Sequence, residues 1–282
     1  MSVEKITEQK CCGGHVATYK HRSEVLGLDA KFAVFLPEAA LQGAKVPVLY
    51  ALAGLTCHQE TFLTKANAVR FAARHGIALL TPDTSPRGAQ VPGENDSCDL
   101  GTGAGFYLDA TQSPWAEHYR MGTYISEELP ALTEALLPLD GVRRGITGHS
   151  MGGHGALVHA LRAPERWKSV SAFAPISNPS VVPWGQKAFS AYLGTDRARW
   201  AAWDATELLK AGHKHPSTIL IDQGDADEFL TRELQPEHFE AAASQVGQAL
   251  SMRRHAGYDH SYWFIQTIIE DHLAHHAQIL KA

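Results

Sequence analysis

Gly148-His149-Ser150-Met151-Gly152 holds the most chemical promise in this chain, a serine with a glycine two positions to either side. A serine hydroxyl attacks acyl carbon only when a histidine takes its proton and a carboxylate orients that histidine. The apolar stretch Val142–Thr147 reads as a strand and Met151–Leu161 as a helix. A strand, a tight turn and a helix are the setting that lifts a nucleophile onto a sharp elbow. The flanking glycines let strand and helix approach without side chains between them. Without that setting the same five residues would be a glycine-rich helix start with an incidental serine.

In hydrolases built this way the acid and then the histidine follow the serine in the chain. Ser217–Ile221 reads as a strand, and the loop after it, Asp222-Gln223-Gly224-Asp225-Ala226-Asp227-Glu228, supplies several carboxylates. Order alone separates Asp225 from Asp227 poorly, and either could be a solvated loop charge. His260, in the turn-rich Gly257-Tyr258-Asp259-His260 beyond the strand Leu250–His255, has the matching position for the base. Two backbone N–H groups must meet the developing oxyanion. One belongs to Met151, just after the nucleophile, and the other to Leu55 in Gly54-Leu55-Thr56-Cys57-His58. Cys57 could lie near Ser150, although a lone cysteine is more often a small buried apolar residue. His149 is expected to pack around the elbow. His272 and His276 are four apart on a helix but lack the Glu of H-E-x-x-H and a third ligand, so they are expected on a solvated face and no metal site is assigned.

Positioning these groups takes an alternation of strands and helices. Strands are predicted at Phe32–Leu36, Pro47–Ala53, Gly76–Thr81, Val142–Thr147, Ser169–Ala174, Ser217–Ile221 and Leu250–His255; helices at about Glu60–His75, Tyr119–Leu136, Met151–Leu161 and Ser261–Ile279. The pattern implies an α/β fold, a mostly parallel central sheet with helices on both faces. One rhythm runs through residues 1–282, which predicts a single domain. Two irregular insertions, about 84–114 and 175–203, are expected to border the active site because long loops in compact domains are usually functional.

Composition narrows the classes. Lys plus Arg is 25 and Asp plus Glu is 30, a formal charge of −5 that argues against nucleic acid as partner. Apolar residues at 44% and charged residues at 20% argue against disorder. The longest uncharged apolar run, Val46–Leu55, is about half the length a membrane-spanning helix needs. The polar start Met1-Ser2-Val3-Glu4-Lys5 lacks a secretory apolar core, and four cysteines (Cys11, Cys12, Cys57, Cys98) are too few for a disulfide scaffold. A cytoplasmic globular protein is expected.

Several segments together resemble the S-formylglutathione hydrolases, also called esterase D. They are Gly54-Leu55-Thr56-Cys57, Asp83-Thr84-Ser85-Pro86-Arg87-Gly88, Gly103-Ala104-Gly105-Phe106-Tyr107-Leu108-Asp109-Ala110-Thr111, Pro114-Trp115, His118-Tyr119-Arg120-Met121, the pentapeptide extended to Ala156, Pro183-Trp184-Gly185-Gln186-Lys187-Ala188-Phe189, Asp222-Gln223-Gly224 and Gly257-Tyr258-Asp259-His260-Ser261-Tyr262. The resemblance spans nearly the whole chain. It implies an α/β-hydrolase fold and hydrolysis of S-formylglutathione to formate and glutathione, a step of formaldehyde detoxification. It places the triad on Ser150, Asp227 and His260, and a modulatory cysteine on Cys57. Two departures, Cys98 and Gly122, stand where relatives tend to carry aromatic residues and are expected to remove bulk near the pocket. A glutathione thioester is the expected small-molecule partner, a homodimer is left open, and no cofactor and no membrane partner are expected. Arg87, Arg120 and Lys187 are candidate partners for the substrate's carboxylates. The competing readings are a general carboxylesterase or acyltransferase with the same triad, and a binding protein on the same scaffold.

Overall fold

The computed structural model describes residues 3–282. Among them nine strands are present: β1 (Val3–Cys11), β2 (Gly14–Arg22), β3 (Asp29–Leu36), β4 (Val46–Leu52), β5 (Ala78–Pro82), β6 (Leu139–Gly148), β7 (Ser169–Phe173), β8 (Ile219–Gly224) and β9 (Leu250–His255). They lie in one sheet in the order β1-β2-β3-β5-β4-β6-β7-β8-β9. From β5 to β9 all neighbours are parallel; β1, β2 and β3 join antiparallel. The mostly parallel α/β architecture expected from the sequence is therefore present.

The central strands are apolar on both sides because both faces are covered. Every residue of β4, β5, β7 and β8 is buried. Alternation divides their side chains between two cores. Val48, Tyr50 and Leu52 join the larger cluster, together with Met151, Leu157 and Leu161 of the helix Met151–Arg162. Leu49 and Ala51 join the other, with Phe62, Phe71, Ile265, Ile269 and Leu273 from the helices Thr61–Lys65, Val69–His75 and Tyr262–Leu280. None of the described helices is long and apolar enough to cross a membrane.

Three departures from the sequence expectations have local causes. The helix expected over Glu60–His75 is two helices, broken where Asn67 takes a left-handed conformation (φ 56°), which short amide side chains tolerate better than most. The helix expected over Tyr119–Leu136 begins at Met121 and contains a π-turn over Tyr124–Glu128. Pro130 has no N–H to offer the carbonyl of Ser126, which accepts from Arg166 Nη1 instead. The β1–β2 hairpin was not anticipated, since β1 exposes most of both faces and has little apolar alternation. Its turn is Cys12-Gly13, both with positive φ, as a tight two-residue hairpin loop requires.

The site is built at one edge of the sheet. β4, β5 and β6 end there, and because β3 runs against β5, with Phe32 beside Pro82, β3 begins there.

Candidate active site

Ser150 sits between β6 and the helix Met151–Arg162 with φ 59° and ψ −118°, a region L-residues rarely occupy. Surrounding hydrogen bonds hold it. The N–H groups of His149 and Ser150 donate to Leu52 O (3.0 Å) and Phe173 O (2.9 Å), and Ile176 N–H donates to Ser150 O (3.2 Å). The turn closes only with glycine at its ends. A Cβ on Gly152 would come within 2.1 Å of Leu52 O, and one on Gly148 within 2.1 Å of Gly152 O.

The acid and the histidine come from the loops that follow β8 and β9. His260 Nδ1 and Asp227 Oδ2 are 2.6 Å apart, and the Asp227 side chain is fully buried. Asp227 is fixed from two further directions, by Gln223 Nε2 donating to Oδ2 (3.1 Å) and by Phe229 N–H donating to Oδ1 (2.9 Å). The Asp225 side chain turns elsewhere and accepts the Gly257 N–H (2.6 Å), bracing the loop that carries His260. Geometry thus separates the two carboxylates that spacing left open.

Ser150 and His260 line a cavity of about 280 Å³ with Leu55, Cys57, Cys98, His149, Trp184, Phe229 and Tyr262. No hydrogen bond joins Ser150 Oγ to the imidazole here; such bonds are often long in unliganded sites and tighten around substrate. Among the described residues the N–H groups of Leu55 and Met151 have no acceptor, while Thr56 N–H is occupied by Gly103 O (2.9 Å). Cys57 borders the cavity, and burial raises its thiol pKa, which keeps it protonated. His149 packs on His260 with ring centroids 4.5 Å apart; burial and the neighbouring imidazole hold it far below the ordinary histidine pKa. Phe229 closes on the other side of His260, edge to face at 5.1 Å.

Each insertion contributes to this cavity, Cys98 from the first and Trp184 from the second. Lys187 ties the two together by donating to Ser97 Oγ (3.0 Å) and Asp99 Oδ1 (2.5 Å), so its charge is already matched. Arg87 is paired with Asp83, and Arg120 lines neither this cavity nor its neighbour. Gly122 corrects an expectation. It lies away from Ser150, beside Trp203, whose ring would come within 2.4 Å of an added Cβ, so its missing bulk is filled by the indole.

His272 and His276 also correct an expectation. Both are fully buried against the sheet, not solvated. His272 spans Ser171 Oγ (2.9 Å) and Asp222 Oδ2 (3.0 Å), and His276 spans Ser169 Oγ (2.7 Å) and Ser171 Oγ (2.8 Å). Ser171, His272 and Asp222 form a serine–histidine–aspartate chain of their own, yet all three are inaccessible. No substrate can reach it. Gln223, Phe229 and Trp184 were not singled out from the sequence; Gln223-Gly224 and Trp184 carried a signal only as parts of the family-like segments.

The Esterase family model matches residues 23–275. The chain is 49% identical to the S-formylglutathione hydrolase of Rattus norvegicus over 283 residues, covering both chains in full. It is 51% identical to that of Arabidopsis thaliana over 280 residues, 99% of this chain and 98% of the other. Among solved structures, an S-formylglutathione hydrolase from Agrobacterium tumefaciens superposes with a TM-score of 0.95 at 46% identity, covering 98% of this chain and 99% of that one.

Proposed function

This chain belongs to the S-formylglutathione hydrolases, and on that basis we propose that it cleaves S-formylglutathione to formate and glutathione through Ser150, His260 and Asp227. The chain is a hydrolase. The observation that carries the residue assignment is the 2.6 Å contact of His260 Nδ1 with buried Asp227, in the same cavity as a serine strained onto an elbow. With Nδ1–H engaged by the carboxylate, Nε2 is the nitrogen left to take the serine proton. The Ser150 oxygen attacks the formyl carbon, and the charge on the carbonyl oxygen falls to the N–H groups of Leu55 and Met151, each worth about 2.7–4 kcal/mol in comparable hydrolases. The C–S bond breaks and glutathione leaves as a thiolate, aided by a thiol pKa of about 8.5, and the thiolate takes up the proton held on His260 so that the imidazole is neutral again. Water activated by His260 then releases formate. The proposed setting is the cytoplasm, with no cofactor taking part in these steps.

Steady-state rates on S-formylglutathione and a simple aryl acetate test the substrate. The thioester is expected to be strongly preferred, and rates on glutathione thioesters should fall steeply from formyl to acetyl to butyryl. Each added methylene must be accommodated in the cavity that Leu55, Cys98 and Trp184 help to line. A flat or rising series would leave a general carboxylesterase in its place.

A further inference from the structure

A second cavity, of about 370 Å³, opens on the far side of the Leu55–Glu60 loop. Leu55, Thr56 and Cys57 face the Ser150 cavity, while His58, Gln59 and Glu60 face the second, so one stretch of chain is the wall of both. Hydrogen bonds pin that wall. Thr81 Oγ1 donates to Gln59 O (2.5 Å), and Thr84 Oγ1 (2.6 Å) and Arg87 Nη2 (2.7 Å) both donate to Cys57 O.

We propose that this second cavity binds the α-amino-acid end of the γ-glutamyl group of the glutathione thioester, with Lys31 and Arg87 toward its carboxylate and Glu60 toward its ammonium. The assignment rests on the thioester reading above and adds where the carrier is held.

Charge supports a zwitterion. Lys31 has no hydrogen-bonding or ion-pair partner for its ammonium among the described residues. Arg87 commits Nε and Nη2 to Asp83 and Cys57 O and leaves Nη1 without an acceptor. Glu60 accepts the Thr18 hydroxyl on Oε1 (2.8 Å) and keeps Oε2 open. Asp29 is occupied by Lys20 at 2.7 Å, and Asp83 by Arg87. The open charged groups are thus a cation, half a guanidinium and half a carboxylate, beside the polar side chains of His58 and Gln59, a set that complements an amino acid better than a simple anion or cation. Pro86, Met121 and Tyr124 line the cavity behind these groups.

Distance supports the same occupant. The strand order β3-β5-β4-β6 puts Lys31 and Asp83 two to three strands from Ser150 on the same edge. At about 4.8 Å per strand that is roughly 10–14 Å. From thiol sulfur to the glutamyl α-carboxylate is about three extended residues' length, or ~10 Å, to which the formyl carbon and the attack distance add, so the substrate reaches the second cavity by crossing the rim of the Leu55–Glu60 wall.

The test compares kcat/KM for S-formylglutathione with that for S-formyl-N-acetylcysteamine, which keeps the formyl thioester and lacks the γ-glutamyl group. Lys31→Ala and Glu60→Gln should each lower the preference for the glutathione substrate about tenfold, through KM. Calorimetry with S-methylglutathione on Ser150→Ala should show the same weakening when either change is added. Lys31 is exposed, so its substitution leaves the fold in place. Equal losses on both thioesters, or no loss on either, overturn the subsite. A wild-type enzyme with no preference for the glutathione thioester over an aryl acetate overturns the substrate reading, and the subsite with it. A selective wild type with fully selective variants overturns the subsite alone.

Discussion

Asp225 and Asp227 differ by two positions and turn their carboxylates to different tasks. Ser150→Ala, His260→Ala and Asp227→Asn should each remove most of the turnover without unfolding the protein, because members of such a triad act as a unit. Losses of about 10³-fold or more in kcat are expected from steady-state assays. Asp225→Asn should stay within roughly tenfold of wild type, since it braces a turn and does not touch the imidazole. Equal damage from the two aspartate variants would reverse the assignment. Local order was enough to single out Ser150, His260 and the acidic loop as candidates, which the structure brings to one cavity. Choosing the acid was not a local question. It depends on where Gln223 Nε2 and Phe229 N–H aim, and nothing in the spacing encodes that.

The elbow itself was readable because its requirements are steric and contiguous: an apolar strand, two small residues and a helix. Gly152→Ala tests that requirement. Its new methyl would press on the Leu52 carbonyl, backbone that cannot swing aside as a side chain could. A stability loss of about 1–3 kcal/mol or more is expected in thermal melts, together with a fall in kcat of about 100-fold as Ser150 is displaced. A wild-type melt and rate would mean the turn relaxes freely. The helix Tyr262–Leu280 was harder to read. His272 and His276 look polar in sequence, and only the facing hydroxyls of Ser169 and Ser171 and the carboxylate of Asp222 make them core residues. Polar pairing across the sheet, like the break at Asn67, has no signature within the helix's own sequence.

Several histidines are buried neutral, and this couples the stability of the whole protein to pH. His154 and His159 donate Nε2–H to the carbonyls of Phe106 and Tyr107, anchoring the long insertion to the elbow helix. Burial pushes His154 down to about 3 and His159 to about 4, from an ordinary 6.5. The unfolded chain therefore binds protons at these sites that the folded chain refuses. Their contribution to stability is fully present above about pH 6.5 and is lost as pH falls toward 4 and then 3. Melting temperatures should be level between pH 7 and 8 and drop on the order of 10 °C by pH 4. His154→Gln should start lower and decline less. A level curve down to pH 4 would mean these rings take protons in the folded state.

The left-handed backbone of Ser150 has a thermodynamic implication for natural selection. A conformation so unfavourable for an L-residue raises the energy of the native state by about 1–3 kcal/mol, out of a total stability of about 5–15 kcal/mol. Glycine occupies that region at no steric cost, although it adds about 0.4–1 kcal/mol of disorder to the unfolded chain. Ser150→Gly should therefore melt about 2–4 °C above the wild type while losing all nucleophilic activity, and a lower melting point would show the backbone to be relaxed. Such a variant would be a sturdier protein and a dead enzyme. On the proposed assignment, drift toward stability alone would erase the nucleophile, and turnover would be the selective pressure that keeps the strained serine in place.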